Sequence, residues 1–194
     1  MTLIGALLFF LMFILFQLGL ILPMDRVVAS WMTDLHTPLF DRLIIGLTRL
    51  GSPPALLFYT LITALFTLKA AGWRSLGIFI AVVWGTALAT TLLKELIARE
   101  RPLERLVEIS SHSFPSWHSS TSAALAVILW AWLSPKYGHR ALLIFLWPLM
   151  IGLSRIWLNA HWTSDVLAGW GLGLAVSGMV LILFRHLMET EKSD

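Results

Sequence analysis

The sequence predicts an all-α integral membrane protein. It reads as a single domain over residues 1–194, a bundle of six transmembrane helices with an amphipathic interfacial segment after the first. Two observations carry this. Of the 194 residues, 58% are hydrophobic and only 13% charged, where a soluble domain carries about a quarter charged residues; the mean hydropathy is +0.81. The apolar residues also gather into runs of about 20, long enough to cross a bilayer, and ten Trp suit anchoring at its interfaces. The absence of Cys removes any disulfide framework or thiolate metal site. The net charge of +3 is modest. Its positive residues fall in polar gaps between apolar runs, which suits an anionic ligand better than nucleic acid.

The first span covers residues 3–22, ended by Pro23. It lacks a basic leader and a small-residue cleavage site, so it is expected to be a retained helix and not a signal peptide. From Met24 to Ser52, apolar residues recur at helical spacing among Asp25, Arg26, Asp34, Asp41, Arg42 and Arg49. That pattern is too polar to span and lies at the interface, divided by Pro38 into two pieces. Gly51-Ser52-Pro53-Pro54 turns the chain into a second span that runs to about Leu68. After a basic loop at 69–75, a third span covers Leu76 to Leu93, with Lys94 at its end.

Residues 94–117 are polar. Pro102 breaks the helix near Arg101. Glu100, Glu104 and Glu108, at i, i+4 and i+8, read as a solvated helix face, and Arg99 and Arg105 are assigned to the same surface. A new helix begins near Trp117 or His118. The fourth span covers Ser119–Leu133, a basic loop covers Ser134–Arg140, and the fifth span covers Ala141–Ile156 with a kink at Pro148. The sixth runs from near His161 to Phe184, its Gly169 and Gly173 allowing close helix packing. A frayed polar tail follows from Arg185. No internal repeat is present.

Ser154–Asp165 stands out. It places Arg155, His161 and Asp165 between two apolar runs, and ionisable groups at membrane depth are costly and by default functional. On a helix, His161 and Asp165 share one face. The carboxylate can then fix the imidazole tautomer and leave the other nitrogen as nucleophile or base. Arg155 keeps its charge and its fork suits phosphate. For Arg155 and His161 to aim at one ligand, the chain must turn near Asn159.

Six spans bring three pieces to the same side: Lys94 with Arg101-Pro102, Pro115-Ser116-Trp117-His118, and Ser154-Arg155 with His161 and Asp165. Three cations, two histidines and an orienting carboxylate fit a phosphate monoester or diphosphate. Cations and helix N-terminal N–H groups neutralise its oxygens; one His attacks phosphorus and the other protonates the leaving oxygen. Only Glu95 and Asp165 lie near this set in sequence, which argues against a two-metal site.

The spacing Lys94-x6-Arg101-Pro102, Pro115-Ser116-x-His118 and Ser154-Arg155-x5-His161-x3-Asp165 resembles the three-part signature of the type 2 phosphatidic acid phosphatase superfamily. The resemblance implies that His161 is the nucleophile, forms a phosphohistidine and is oriented by Asp165. His118 becomes the general acid, then the base that activates water, while Lys94, Arg101, Ser116, Trp117 and Arg155 hold the phosphate. It implies no metal and no cofactor, a lipid phosphate substrate, surrounding membrane lipids as partners, and a site on the extracytoplasmic (periplasmic) face of the inner membrane. Undecaprenyl diphosphate is the favoured substrate by this analogy, with phosphatidylglycerophosphate and lipid A as family alternatives.

Trp117 stands where the family has Gly. A left-handed Gly there would make Trp strained by about 1–2 kcal/mol, and a Gly kept for space would make the indole intrude on the head-group pocket. Two rival functions remain: a phosphotransferase that passes the phosphate to another lipid, and a non-catalytic binder disabled by Trp117. A transporter fits less well, because the charges gather at helix ends on one side. His36, His112, His139 and His186 match no motif and are assigned to loops or the interface.

Overall fold

The computed structural model describes residues 1–70 and 72–190, the side chains of 69, 70 and 186–190 aside. The chain folds as α1 (Thr2–Gln17), α2 (Leu22–Leu35), α3 (Pro38–Arg49), α4 (Pro53–Ala70), α5 (Gly72–Ile97), α6 (Trp117–Tyr137), a 3-10 segment (Gly138–Phe145), α7 (Leu146–Trp157) and α8 (Thr163–Thr190). No strand occurs among the described residues.

Among the described residues, three helical stretches are long and apolar enough to cross a membrane: Gly72–Ile97, Trp117–Trp157 and Thr163–Arg185. Two bent pairs, α1 with α2 at 97° and α3 with α4 at 44°, raise that number to five at most. The expected six are therefore not reached by length and composition. One reason is that Trp117–Trp157 counts as one stretch of 41 residues. Its two ends, His118 and Arg155, nevertheless line one cavity, so the chain reverses between them, at the 3-10 segment that Gly138 opens with φ +56°.

Another reason is that α1 ends earlier than expected, and Pro23 is not what ends it. Gly19 adopts φ +70°; its N–H donates to Phe16 O and that of Leu20 to Leu15 O, both at 2.9 Å. This is a Schellman cap, for which glycine is the favoured residue. Pro23 instead sits in the first turn of α2, where its missing N–H costs nothing. Pro38 does begin α3 as expected. Pro148 falls in the first turn of α7, not in mid-helix.

The Glu100–Glu108 helix does not form. α5 stops at Ile97, Ala98 takes φ +50°, and 99–116 is irregular. Proline at 102 disfavours helix just before itself. The basic loops expected at 69–75 and 134–140 are not loops: 69–70 end α4, 72–75 begin α5, 134–137 stay in α6 and 138–140 open the 3-10 segment. Residues 185–190 of the expected tail continue α8, while residue 71 and residues 191–194 lie outside the described residues.

α8 forms the centre of the bundle and packs against α1, α5, α6 and α7. Its glycines set the spacing. A Cβ on Gly169 would stand 2.6 Å from Ser116 O and 2.9 Å from Ser119 Cβ; one on Gly173 would collide with Ser120 O. α6 and α8 thus meet backbone to backbone, as the small-residue pair predicted. Replacing Gly169 by Leu is expected to cost about 1–3 kcal/mol through overpacking, read as a lower unfolding midpoint in detergent. Phe9, Met12, Phe114, Ala168 and Leu172 form one core cluster, and Phe79, Val82, Val83, Leu125 and Ile128 belong to another.

Candidate active site

Each site residue is delivered by a helix end or by the loop beside it, at one end of the bundle. Lys94 lies in the last turn of α5, His118 in the first turn of α6, Arg155 in the last turn of α7 and Asp165 in the first turn of α8. Asn159 makes the turn between α7 and α8 with φ +47°, a conformation Asn tolerates. Its Nδ2 is tied to Thr33 Oγ1 at 2.8 Å, on α2. The turn aims His161 back toward Arg155, as the shared ligand required.

A cavity of about 450 Å³ is lined by Lys94, Arg101, Trp117, His118, Arg155 and His161, with the α3–α4 corner at its side. That corner needs glycine: a Cβ on Gly51 would stand 2.7 Å from Ile151 Cγ2 and 3.2 Å from His118 Cδ2. The backbone N–H groups of Trp117, His118 and Ser119 precede the first bond of α6, Ser120 N to Ser116 O. They are free donors at a helix N-terminus. Trp117 is an ordinary first helical residue without positive φ. The strain a left-handed position would impose is therefore absent, and what remains is the indole as part of the cavity wall, edge-on to His118 at 5.8 Å.

His161 is 3% exposed. Its Nε2 lies 3.1 Å from Arg101 Nη1. A guanidinium can only donate, so Nε2 carries the lone pair and the proton belongs on Nδ1. Nδ1 faces Asp165 Oδ2 at 3.4 Å. The pair is thus arranged with the lone-pair nitrogen toward the cavity and the carboxylate behind. Oδ2 also accepts from Trp162 N–H at 2.9 Å and from the Ser113 hydroxyl, while Oδ1 accepts from Arg99 Nη1 at 2.6 Å.

The cations are held by carbonyls. Lys94 Nζ donates to His112 O at 2.6 Å and Ser113 O at 3.1 Å. Arg101 donates to Ser111 O at 2.7 Å, His112 O at 2.8 Å and Ala160 O. Burial lowers the Arg101 guanidinium to about 10, offset in part by Asp165, so it stays charged at neutral pH. Arg155 donates through Nη1 to Thr48 Oγ1 at 2.9 Å, while its buried Nε has no hydrogen-bond partner among the described residues. Among the described residues no group of three His, Cys, Asp or Glu is placed to hold a metal.

Six of the eight expected site residues line the cavity. Asp165 stands behind His161, as an orienting group must. Ser116 does not reach the cavity: it is fully buried, its Oγ accepts from Ser119, and its N–H donates to Asp165 O at 2.9 Å. It joins α6 to α8. Arg99 is not on a solvated face but 5% exposed, paired with Asp25 and Asp165. Sequence reasoning missed Arg99, Asp25, Ser113 and Thr48, whose neighbours in sequence give no sign of their partners. His36 Nε2 lies 2.7 Å from Trp157 O, and His112 contributes its carbonyl. His139 lies in the 3-10 segment. The His186 side chain lies outside those described.

The PAP2 superfamily model matches residues 55–189. The chain belongs to the PAP2 superfamily. It is 30% identical over 167 residues to phosphatidylglycerophosphatase B of Bacillus subtilis, covering 80% of this chain and 81% of that one. It is 33% identical over 125 residues to a lipid A 1-phosphatase of Rhizobium johnstonii, covering 59% of this chain and about half (49%) of that protein. The crystal structure of a transmembrane PAP2 type phosphatidylglycerolphosphate phosphatase from Bacillus subtilis superposes with a TM-score of 0.84 at 26% identity, over 94% of this chain and 96% of that one. This PAP2 protein is thus a membrane enzyme of the phosphoric ester hydrolases.

Burial, then the charges of Lys94, Arg101, Arg155 and His118, push the His161 imidazole well below its ordinary 6.5. The resting imidazole is neutral at pH 7. If this nitrogen is the nucleophile, kcat/KM, which reports the free enzyme, has no acid limb from His161 near 6.5; that limb lies lower. Stability follows the same sign. The unfolded His161 binds a proton near 6.5 and the folded one does not. Its contribution is therefore full above about 6.5 and is lost as pH falls toward the folded value. A kcat/KM profile and an unfolding series between pH 5 and pH 8, with His161→Gln as reference, check both.

Proposed function

We propose that this PAP2 protein is a metal-independent lipid phosphate phosphatase working through a phosphohistidine on His161. The observation that carries the reading is the His161–Asp165 pair, its Nε2 directed into a cationic cavity and its Nδ1 toward a buried carboxylate. Phosphate oxygens lie against Lys94, Arg101, Arg155 and the N-terminus of α6. Arg101 yields its place at Nε2 to phosphorus and keeps its charge on the phosphate. Nε2 forms the P–N bond as the P–O bond to the lipid breaks, and His118 gives its proton to the departing oxygen. His118 then takes a proton from water, whose oxygen attacks phosphorus. The P–N bond breaks and inorganic phosphate leaves.

The substrate is a lipid monophosphate or diphosphate. Undecaprenyl diphosphate is the candidate from the resemblance of the three motifs to the family. Phosphatidylglycerophosphate is favoured by the likeness to a protein of that named activity over 81% of its length. The site is assigned to the periplasmic face of the inner membrane. This rests on taking as cytoplasmic the basic end of the bundle opposite the site, which carries Arg74 at the start of α5, Lys136 at the end of α6 and Arg140 in the 3-10 segment.

Phosphate release from undecaprenyl diphosphate, phosphatidylglycerophosphate and phosphatidate, by detergent-purified protein with EDTA, tests the reading. Wild-type protein is expected to release phosphate. Because Trp117 lines the cavity on an unstrained backbone, Trp117→Gly is expected to change the ranking of the lipids by about tenfold without creating the activity. An inert wild type beside an active Trp117→Gly would establish the disabled binder instead.

A further inference from the structure

Behind the nucleophile lies a buried ionic chain drawn from three parts of the fold. Asp25 comes from α2, Arg99 from the segment after α5, and Ser164 and Asp165 from the start of α8. Arg99 Nη2 donates to Asp25 Oδ2 at 2.8 Å and Nη1 to Asp165 Oδ1 at 2.6 Å, with side-chain exposures of 3% for Arg99 and 0% for both carboxylates. Arg99 Nη1 also meets Ser164 Oγ at 2.8 Å. Asp25 in turn accepts from Ser164 through Oγ at 2.5 Å and through the backbone N–H at 3.0 Å. The guanidinium lies against the Phe16 ring, 4.5 Å from its centroid. Every acceptor oxygen of the two carboxylates is engaged, and only the Asp165 Oδ2 edge faces His161.

A buried ion set is weak evidence of stability, since taking three charges out of water costs much of what their pairing returns. Its form suggests a different use. One guanidinium is shared by two carboxylates, so the chain Asp25–Arg99–Asp165 carries a net negative charge at the end that faces the imidazole. That charge complements the imidazolium character His161 gains when it attacks phosphorus.

Resting on the phosphohistidine reading, we propose that Arg99 and Asp25 are positioning residues for His161. Arg99 holds Asp165 with Oδ2 aimed at Nδ1, and Asp25 draws off part of the Arg99 charge so that Asp165 remains anionic toward the imidazole. Neither residue touches the substrate cavity. The other charged or titratable groups that face His161 are Lys94 from α5, Arg101 from the loop, His118 from α6 and Arg155 from α7. Arg49, Glu95 and Glu108 stand on the cavity wall. None is altered by the variants below.

Two variants separate charge from geometry. Asp25→Asn keeps the shape and removes one negative charge; Arg99→Lys keeps the charge and loses the two-pronged fork. The His161 titration is followed by 15N NMR of histidine-labelled protein, assigned by difference against His161→Gln, and kcat and KM are measured on the same folded samples. In Asp25→Asn, Arg99 neutralises Asp165 more fully. The His161 titration therefore moves to lower pH, and kcat falls about tenfold with KM little changed. In Arg99→Lys the titration stays near that of the wild type while kcat falls about 10–100-fold, because Asp165 is no longer held in one orientation. A simple brace would lower the unfolding midpoint and leave the titration and the kcat of folded protein untouched; that pair of results overturns the proposal. A His161 titration that moves to higher pH in Asp25→Asn overturns it too. If Asp25→Asn does not fold, Arg99→Lys decides, and an unchanged kcat rejects the positioning role. A wild type that releases no phosphate yet shows the NMR shift refutes the phosphatase reading and leaves the coupling to His161 supported.

Discussion

His161→Ala is expected to abolish phosphate release, by about ten-thousand-fold or more, because it removes the atom that forms the bond to phosphorus. The fold should survive. His161 sits in the turn before α8 and its backbone N–H donates to Arg155 O at 3.3 Å, which alanine retains. The cavity cations and the N-terminus of α6 also remain, so the variant should still bind a lipid phosphate. Release rate and lipid-phosphate binding, measured on the same preparation, separate the lost step from lost affinity. Weakened binding with a retained kcat would make His161 a ligand-holding residue instead.

His118→Asn is expected to have the second-largest effect, about a hundred-fold to ten-thousand-fold on a lipid substrate, the span that general acid–base groups contribute. The two halves of its role can be told apart. An aryl phosphate with a good leaving group needs little help from an acid, so phosphorylation of His161 should persist. Water still needs a base, so hydrolysis of the P–N bond should stall and phosphoenzyme should accumulate. A burst of released phenol equal to the enzyme, followed by slow turnover, is the expected trace. Uniform loss of both steps would remove His118 from the proton transfer.

Much of the site was legible because its chemistry lies on short local patterns. Lys94, Arg101, His118, Arg155 and His161 occur where helices end, and helix ends follow from proline, glycine and the limits of apolar runs. The turn at Asn159 followed from asking two side chains to share a ligand. What was not legible depends on distant partners. Arg99 looked solvated among glutamates, but its carboxylates lie 74 and 66 residues away in sequence. Asp25 looked like one more charge on an interfacial helix, yet it is buried. Ser116 belongs to the motif but spends its hydrogen bonds joining α6 to α8. The early stop of α1 was visible in principle, since Gly19 is the favoured cap residue, but the proline four residues later carried the stronger signal. The run of 41 residues counted as one stretch shows why a hydropathy pattern alone fixes no number of spans.

The central claim is a covalent phosphate on His161, formed without a metal. The most direct test is to mix EDTA-treated enzyme with a phosphorus-labelled lipid phosphate, quench in alkali and map the label by peptide mass. The account predicts a label on the peptide that carries His161, stable in alkali, lost in acid and absent from His161→Ala. Turnover with no such label at any time after mixing, or a label that persists in His161→Ala, would contradict it.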